Sequence, residues 1–373
     1  MFFLNSSILW SFSFFCFFIY LVLCYSLLVY LLPVTLANLN LSSSNTKRAN
    51  FYFISGLECV YFKALPALLM ALVNLSWVSN SLTSWFGNLI FSPFQSKMTF
   101  VILFFFWLIL IVVASVSYFS SNEIYDFIIV LYHFFFWVTI LFYANSLFSL
   151  FFVIEVLSAL IFLFLVSSTY STLFFFRNLS LEFSNFFQNT TPLTFIHSIL
   201  FFYWVSLLSS LNLFVFIVFL YKHLVTFDWY LIEYLFLYLL KVSAVKDIFI
   251  IGLFWFFMIF SLFLKCGLAP FFIWKPTFFK GMPLIALFFY ISFFYFFIFL
   301  FFIYFLTSYF SSLFYFYALV TLLFISAGLV TLLFILSEAF FLKVFFAISS
   351  LLNSLLVLLA LLSFHPVSFI FYL

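Results

Sequence analysis

Two ionisable residues lie deep inside apolar stretches of the chain and are candidates for proton-transfer chemistry. Glu155 stands in the middle of "SLFSLFFVIEVLSALIFLFLVSS", and Lys265 lies toward the end of the apolar stretch 247–273. A charge at the centre of a membrane helix costs at least about 2.5–3.5 kcal/mol, so ionisable residues there usually have a function. Two simpler interpretations stay open: a protonated Glu155 that hydrogen-bonds a neighbouring helix, and a Lys265 whose side chain reaches the headgroups.

Helix breakers follow Lys265 directly. In "LFLKCGLAPFFIWKPTFFKGMPL" (262–284), Pro270 removes a backbone donor and interrupts a helix. Transporters use broken helices at membrane depth to expose helix ends and carbonyls around a charged site. A lysine at such a break can lose its proton when desolvated and regain it when a carboxylate approaches. The segment therefore predicts a broken helix near 265–270.

Other ionisable residues are weaker candidates. His133 lies within one apolar span and His197 begins another; each is a candidate relay, although a lone histidine is more often hydrogen-bonded in the core. Lys343, near the start of a later span, and Tyr295 are further candidate relays, although reaching the headgroups is the default for Lys343. Scattered basic residues exclude a nucleic-acid footprint. We predict no metal site, because metal-ligand spacing is absent among the four cysteines, Cys16, Cys24, Cys59 and Cys266.

The composition predicts that these residues lie on membrane-spanning helices. The chain has 373 residues, of which 69% are hydrophobic and 6% charged, far from a soluble globular domain. Apolar stretches long enough to cross a bilayer predict an all-α, polytopic transmembrane protein of about ten helices. A further amphipathic segment, 227–247, is expected along the membrane interface. The predicted helices lie near 8–37, 53–78, 99–119, 126–144, 147–168, 195–221, 247–273, 284–306, 312–336 and 340–363.

Phenylalanine use and the first residues bear on the origin of the chain. It contains 74 phenylalanines, more than packing requires, which we interpret as a bias toward T-rich codons in a compact organelle genome. The first basic residue is Lys47, so neither a signal peptide nor an Arg-rich transit peptide is predicted. We therefore expect an organelle-encoded protein that keeps its first apolar stretch as a helix.

The segment around Lys265 resembles a known signature. In subunit 2 of mitochondrial NADH:ubiquinone oxidoreductase, respiratory complex I, a lysine precedes Gly-x-Ala-Pro-Phe, then Trp-x-Pro, then Gly-x-Pro. Three further stretches, 144–165, 206–221 and 342–355, are similar to helices of the same family, so the resemblance covers roughly 120–363. The residues that agree in the first motif are Lys265, Gly267, Ala269, Pro270, Phe271, Trp274, Pro276, Gly281 and Pro283.

The resemblance implies an antiporter-like fold related to Mrp-type cation/proton antiporters. Such a subunit has inverted five-helix repeats, each with a broken helix. Here it implies N-terminal helices in 1–120, a first repeat in 121–306 and the truncated start of a second in 307–373. The broken-helix motif would comprise Gly267, Pro270, Trp274, Pro276, Gly281 and Pro283.

The function that the resemblance implies is proton translocation in the mitochondrial inner membrane, driven by electron transfer from NADH to ubiquinone. Glu155 would modulate the protonation of Lys265, and protons would pass through water chains. FMN, iron-sulfur clusters and ubiquinone are expected elsewhere in the complex, with none on this chain. Bound phospholipids are expected.

The chain departs from the family in ways that leave alternatives open. Family members carry another buried lysine about thirty residues after the first, and the corresponding residue here is Tyr295. No Lys, Arg, His, Asp or Glu occurs from 281 to 337. Family members also carry a histidine where this chain has Phe272 and an acid near Thr277. The sequence stops soon after Ser349-Ser350, so we expect a split subunit completed by a second polypeptide. The alternatives are a non-conducting scaffold subunit of complex I and a free-standing cation/proton antiporter subunit.

Overall fold

The computed structural model describes eight parts of the chain, most of them helical. The continuous ranges are 82–84, 87–91, 121–176, 192–242, 314–336 and 342–362. The ranges 95–109 and 245–301 are described with gaps inside them. The helices predicted near 8–37 and 53–78 lie outside the described residues. The chain divides into two compact units, Met1–Leu179 and Ser180–Leu373, which are considered separately.

The first unit contains a short hairpin and two long helices. Strands β1 (Leu82–Ser84) and β2 (Leu89–Phe91) pair antiparallel, and helices α1 (Ser121–Tyr143) and α2 (Leu147–Phe176) pack against each other. The hairpin was not predicted from the sequence. The two helices correspond to the stretches predicted near 126–144 and 147–168, and each extends beyond its prediction.

Hydrogen bonds join the hairpin turn to the connection between α1 and α2. The backbone N–H of Asn145 donates to the carbonyl of Asn88 at 2.9 Å, and its side-chain Nδ2 donates to the carbonyl of Gly87 at 2.8 Å. The hydroxyl of Ser146 donates to Oδ1 of Asn88 at 2.8 Å. Gly87 has a φ of +89°, which a glycine adopts without strain. The hairpin thus supplies partners for backbone groups that the tight α1–α2 connection leaves outside a helix.

The second unit is a bundle of helices around a discontinuous one. Helix α5 packs against α3, α4 and α7, and helix α6 packs against α3 and α8. Helical residues also occur within 287–301, where Tyr290–Phe294 form a π-helical segment. The bounds are α3 (Pro192–Leu224), α4 (Trp229–Val242), α5 (Val245–Cys266), α6 (Trp274–Gly281), α7 (Phe314–Leu336) and α8 (Leu342–Leu362).

Four helices of the described part are long and apolar enough to cross a membrane. They contain the spans Leu147–Val166, Ile196–Leu224, Ala318–Leu336 and Lys343–Ala360. Large apolar side chains on their surfaces are exposed, among them Trp204, Val215, Leu333 and Phe334. A large exposed apolar surface is unusual for a soluble monomer and is expected where lipid surrounds a helix. The helical class is confirmed and the membrane prediction is supported, while the count of about ten helices stays a prediction.

A buried hydrogen bond links α3 to α5. The hydroxyl of Ser209 donates to the backbone carbonyl of Ser261 at 3.0 Å, and both serines are fully buried. The adjacent Ser210 is half-buried, and its hydroxyl donates to Leu207 within its own helix at 2.8 Å. Only the first of these two hydroxyls therefore holds two helices together.

We expect Ser209→Ala to lower the free energy of unfolding by about 0.5–1.5 kcal/mol, the usual range for a hydrogen bond between helices. Ser210→Ala is the matched control and should change stability much less, because it removes only a bond within one helix. The measurement is thermal unfolding of the purified protein in mild detergent. Equal effects of the two substitutions would contradict this role of Ser209.

Candidate functional site

Helix α5 ends one residue after Lys265, with a complete Schellman motif. The N–H of Gly267 donates to the carbonyl of Leu264 at 3.3 Å, and the N–H of Leu268 donates to that of Phe263 at 2.9 Å. Gly267 has a φ of +62°, the left-handed conformation that this motif requires. The predicted break is therefore present, but the helix ends at Cys266 rather than near 273. Gly267, not Pro270, terminates it.

Gly267 is required for a second reason, which is the proximity of Trp274. A Cβ atom at position 267 would lie 2.6 Å from Cζ2 of the Trp274 ring, closer than such atoms approach in proteins. Trp274 is the first residue of α6 and is buried. The glycine and the tryptophan of the motif described above are thus in direct contact across the break.

A short turn connects the two half-helices. The N–H of Phe271 donates to the carbonyl of Leu268 at 2.8 Å, and the N–H of Lys275 donates to that of Phe272 at 2.8 Å. Pro270 lies in this turn, and Pro276 lies in the first turn of α6, where a missing N–H removes no helical hydrogen bond. The prolines therefore shape the connection and the start of α6.

Two lysines are buried on either side of the break. The side chain of Lys265 is 8% exposed and that of Lys275 is 0% exposed. Both lie close enough to the thiol of Cys266 to interact with it electrostatically. Burying each of these amines in its charged form is costly, because burial removes the water that stabilises the charge.

Two tyrosines from the helical residues 287–301 complete what we call the break cluster: Lys265, Lys275, Tyr290 and Tyr295. The hydroxyl of Tyr295 donates a short hydrogen bond to the backbone carbonyl of Cys266, the last residue of α5. The rings of Tyr290 and Tyr295 are perpendicular, with centroids 5.2 Å apart. Counting from Lys265 placed Tyr295 at the position of the missing lysine, and this tyrosine does form a hydrogen bond at the break.

The π-helical segment explains how both tyrosines reach the cluster. The N–H of Tyr295 donates to the carbonyl of Tyr290, five residues earlier, as the wider turn of a π-helix requires. That turn brings the two rings together, whereas an α-helical spacing would separate residues i and i+5 around the axis. Short π-helical segments occur frequently at functional sites.

Lys343 has a defined partner at the other end of α6. Its Nζ donates to the carbonyl of Met282 at 2.9 Å and lies 3.5 Å from that of Lys280. These carbonyls belong to the C-terminal end of α6, where helical partners are missing and a positive charge is favourable. Lys343, half-buried at the start of α8, therefore caps the half-helix instead of simply reaching the membrane surface.

The remaining predicted residues lie apart from the break cluster or outside the described residues. Glu155 is half-buried on α2 in the first unit, whereas Lys265 is in the second, so their expected pairing stays a prediction. His133 is half-buried on α1, and His197 is exposed near the start of α3, where it stacks on Phe201. Pro283 of the broken-helix motif is outside the described residues.

Lys275 was missed by the sequence analysis. The signal was available, because a lysine at the second position of a helix opposes the helix dipole, which favours acidic residues there. Only the packing of Lys275 against Tyr295 makes it part of the site.

The break cluster has the groups needed to hold and transfer a proton. A lysine amine accepts a proton when neutral and donates one when charged, and a tyrosine hydroxyl can do both. Ser261 lies one helical turn before Lys265, and its carbonyl accepts the hydroxyl of Ser209, so polar groups continue from the cluster toward α3. The arrangement can therefore bind protons inside the apolar unit.

We expect Gly267→Ala to destabilise the protein by roughly 2–4 kcal/mol, from left-handed backbone strain together with overpacking against Trp274. Gly87→Ala is the control: its φ is also positive, but a Cβ there would meet nothing within 4 Å. Gly87→Ala should destabilise the protein through backbone strain alone, by about 1–2 kcal/mol. Thermal unfolding in detergent measures both, and a Gly267→Ala effect no larger than that of Gly87→Ala would contradict the proposed contact.

Comparison with known proteins adds no relative to this description. No family model matches the chain, and no curated protein matches it. The functional assignment therefore rests on the residues of the break and on the motif around them.

Proposed function

We propose that this chain is a membrane-arm subunit of respiratory complex I that takes part in proton translocation coupled to electron transfer from NADH to ubiquinone. The observation that carries the proposal is the helix break at Gly267 with a buried lysine on each side. A chain that only filled space in a membrane would place neither a break nor buried amines there. The order of the motif residues around the break supports the same assignment.

In this proposal, Lys265 binds a proton when an opposite charge is near and releases it when that charge is removed. Unit charges 4 Å apart attract each other by about 4 kcal/mol at an effective dielectric constant of 20, enough to decide whether an amine is charged. Glu155 is the carboxylate that we assign to this role. His133 and His197 remain candidate relays. Electron transfer elsewhere in the complex would drive the change.

The proposal includes the setting of the chain. It is a multi-pass, organelle-encoded protein of the mitochondrial inner membrane, with an antiporter-like fold and bound phospholipids. Its partners are the other membrane-arm subunits and a second polypeptide that supplies further helices. FMN, iron-sulfur clusters and ubiquinone belong to other parts of the complex.

A second candidate function is a scaffold subunit of the same complex that does not conduct protons. Tyr295 favours it, because a phenol is a far poorer proton acceptor than the amine expected at that position. The two candidates differ in what happens when a buried lysine is removed. They agree that the chain assembles with NADH dehydrogenase, unlike a free-standing antiporter subunit.

We expect the chain to migrate with NADH dehydrogenase activity. Membranes solubilised in mild detergent are separated on a native gel, the active band is stained, and its peptides are identified by mass spectrometry. Peptides of this chain should occur in the active band, together with those of other membrane-arm subunits. If the chain is present in the starting membranes but consistently absent from that band, the result would favour a free-standing antiporter subunit.

We expect Lys265→Met to lower several-fold the number of protons moved per NADH oxidised, because it removes an amine that binds the transported proton. The measurement uses the purified complex in lipid vesicles, with NADH oxidation by an artificial acceptor as a check on the redox part. Lys222→Met, at an exposed position on α3, is the matched control and should change neither quantity. An unchanged proton yield in Lys265→Met would favour the scaffold.

A further inference from the structure

Lys275 is the most unusual side chain in the part of the chain that the structure describes. It is fully buried, and its Nζ has no hydrogen-bond partner among the described residues. Desolvating a charged amine costs several kcal/mol, and an apolar side chain of similar size at such a position is often neutral or stabilising. A lysine there gives no gain in stability, so a function is the better explanation for it.

The aromatic rings around Nζ compensate only part of this cost. Nζ lies 4.2 Å from the centroid of the Tyr295 ring and 5.6 Å from that of Phe279. A desolvated cation–π contact contributes about 2 kcal/mol, less than the desolvation of the ion. The position of Lys275 at the N-terminal end of α6 adds a small further penalty for the charged form. Burial therefore disfavours the charged amine, and the rings recover only part of that cost.

The location of Nζ matters because of the helical residues opposite it. No charged residue occurs in the sequence from 281 to 337, which includes the helical residues 287–301. Lys275 reaches this apolar segment from α6 and places an amine directly over the ring of Tyr295. The break cluster thereby contains two amines, one at the end of α5 and one at the start of α6.

We propose that Lys275 is a second proton-carrying residue at the helix break. The neutral amine takes a proton from hydronium to give ammonium and water, and the reverse step returns the proton to water. The ring of Tyr295 holds the ammonium, while the hydroxyl of Tyr295 secures the end of α5. This inference rests on the proposed function and identifies an additional residue for it.

The groups that face Lys275 determine how its protonation responds. From α5 this is the thiol of Cys266, which interacts electrostatically with Lys275 and also with Lys265. From the segment 287–301 they are the hydroxyl-bearing rings of Tyr290 and Tyr295. Lys343 of α8 is bound to carbonyls at the opposite end of α6.

The test compares three variants of the intact complex in lipid vesicles. Lys275→Met removes the amine, Lys275→Arg keeps a charge that cannot be released at accessible pH, and Lys280→Met changes an exposed lysine of the same half-helix. We expect the first two to lower the proton yield per NADH several-fold, with redox activity toward an artificial acceptor retained. Lys280→Met should behave as the unmodified complex.

The outcomes separate this inference from the proposed function. A normal proton yield in Lys275→Met would overturn it, because the amine would then be dispensable. A normal proton yield in Lys275→Arg would also overturn it, because a permanent charge at position 275 would then be sufficient. If Lys265→Met lowers the yield and Lys275→Met does not, the proposed function stands and only this inference fails. Should Lys275→Met not assemble, Lys275→Gln carries the same expectation, and failure of both neutral variants to assemble would also overturn the inference.

Discussion

The need to satisfy backbone polar groups governs the arrangement around the break. Lipid offers no hydrogen-bond partner, so in a membrane protein the N–H and C=O groups released by an interrupted helix need partners from the protein or from enclosed water. At the end of α5, two such groups pair through the Schellman hydrogen bonds, and the hydroxyl of Tyr295 takes the carbonyl of Cys266. At the end of α6, the amine of Lys343 takes the carbonyl of Met282. Side chains from two other elements are therefore needed to keep a half-helix in place.

This constraint links residues that are distant in the sequence. Tyr295 and Lys343 contact opposite ends of the broken segment, and the packing of α6 against α3 and α8 holds it between them. The stacked rings of Phe202 on α3 and Phe278 on α6 reinforce this packing, with their centroids 4.9 Å apart. The break is consequently a built feature with its own supporting shell. A site that binds protons needs such a shell, because a misplaced amine would pair with a backbone carbonyl and become fixed.

The helices were largely predictable from the sequence, since apolar stretches of membrane length have few alternatives to a helix. The approximate position of the break was also predictable, because glycine and proline restrict the backbone locally. The exact residue that ends α5 was not, since it depends on the contact between Gly267 and Trp274. The β1–β2 hairpin was missed because its strands are only three residues long and are paired by the turn and by Asn145.

The side chains of the site were predicted less completely than its backbone. Lys265 and Tyr295 followed from spacing within the motif, and both lie in the break cluster. Lys275 did not follow, because burial of a lysine near a helix start depends on which ring packs over it. The sequence places Lys343 near a helix start, where its side chain was expected to reach the headgroups. Only the tertiary structure shows that it caps the end of α6 by donating to the carbonyl of Met282.

A density map of the chain in its native membrane assembly, with side chains and ordered water resolved around positions 260–300, would test the arrangement at the break most directly. We expect α5 to end at Cys266, α6 to start anew near Trp274, and Nζ of Lys275 to lie over the Tyr295 ring with water within hydrogen-bonding distance. A helix that continues unbroken through position 267 would contradict it. So would a carboxylate fixed against Lys275, because that amine would then be a permanent structural cation.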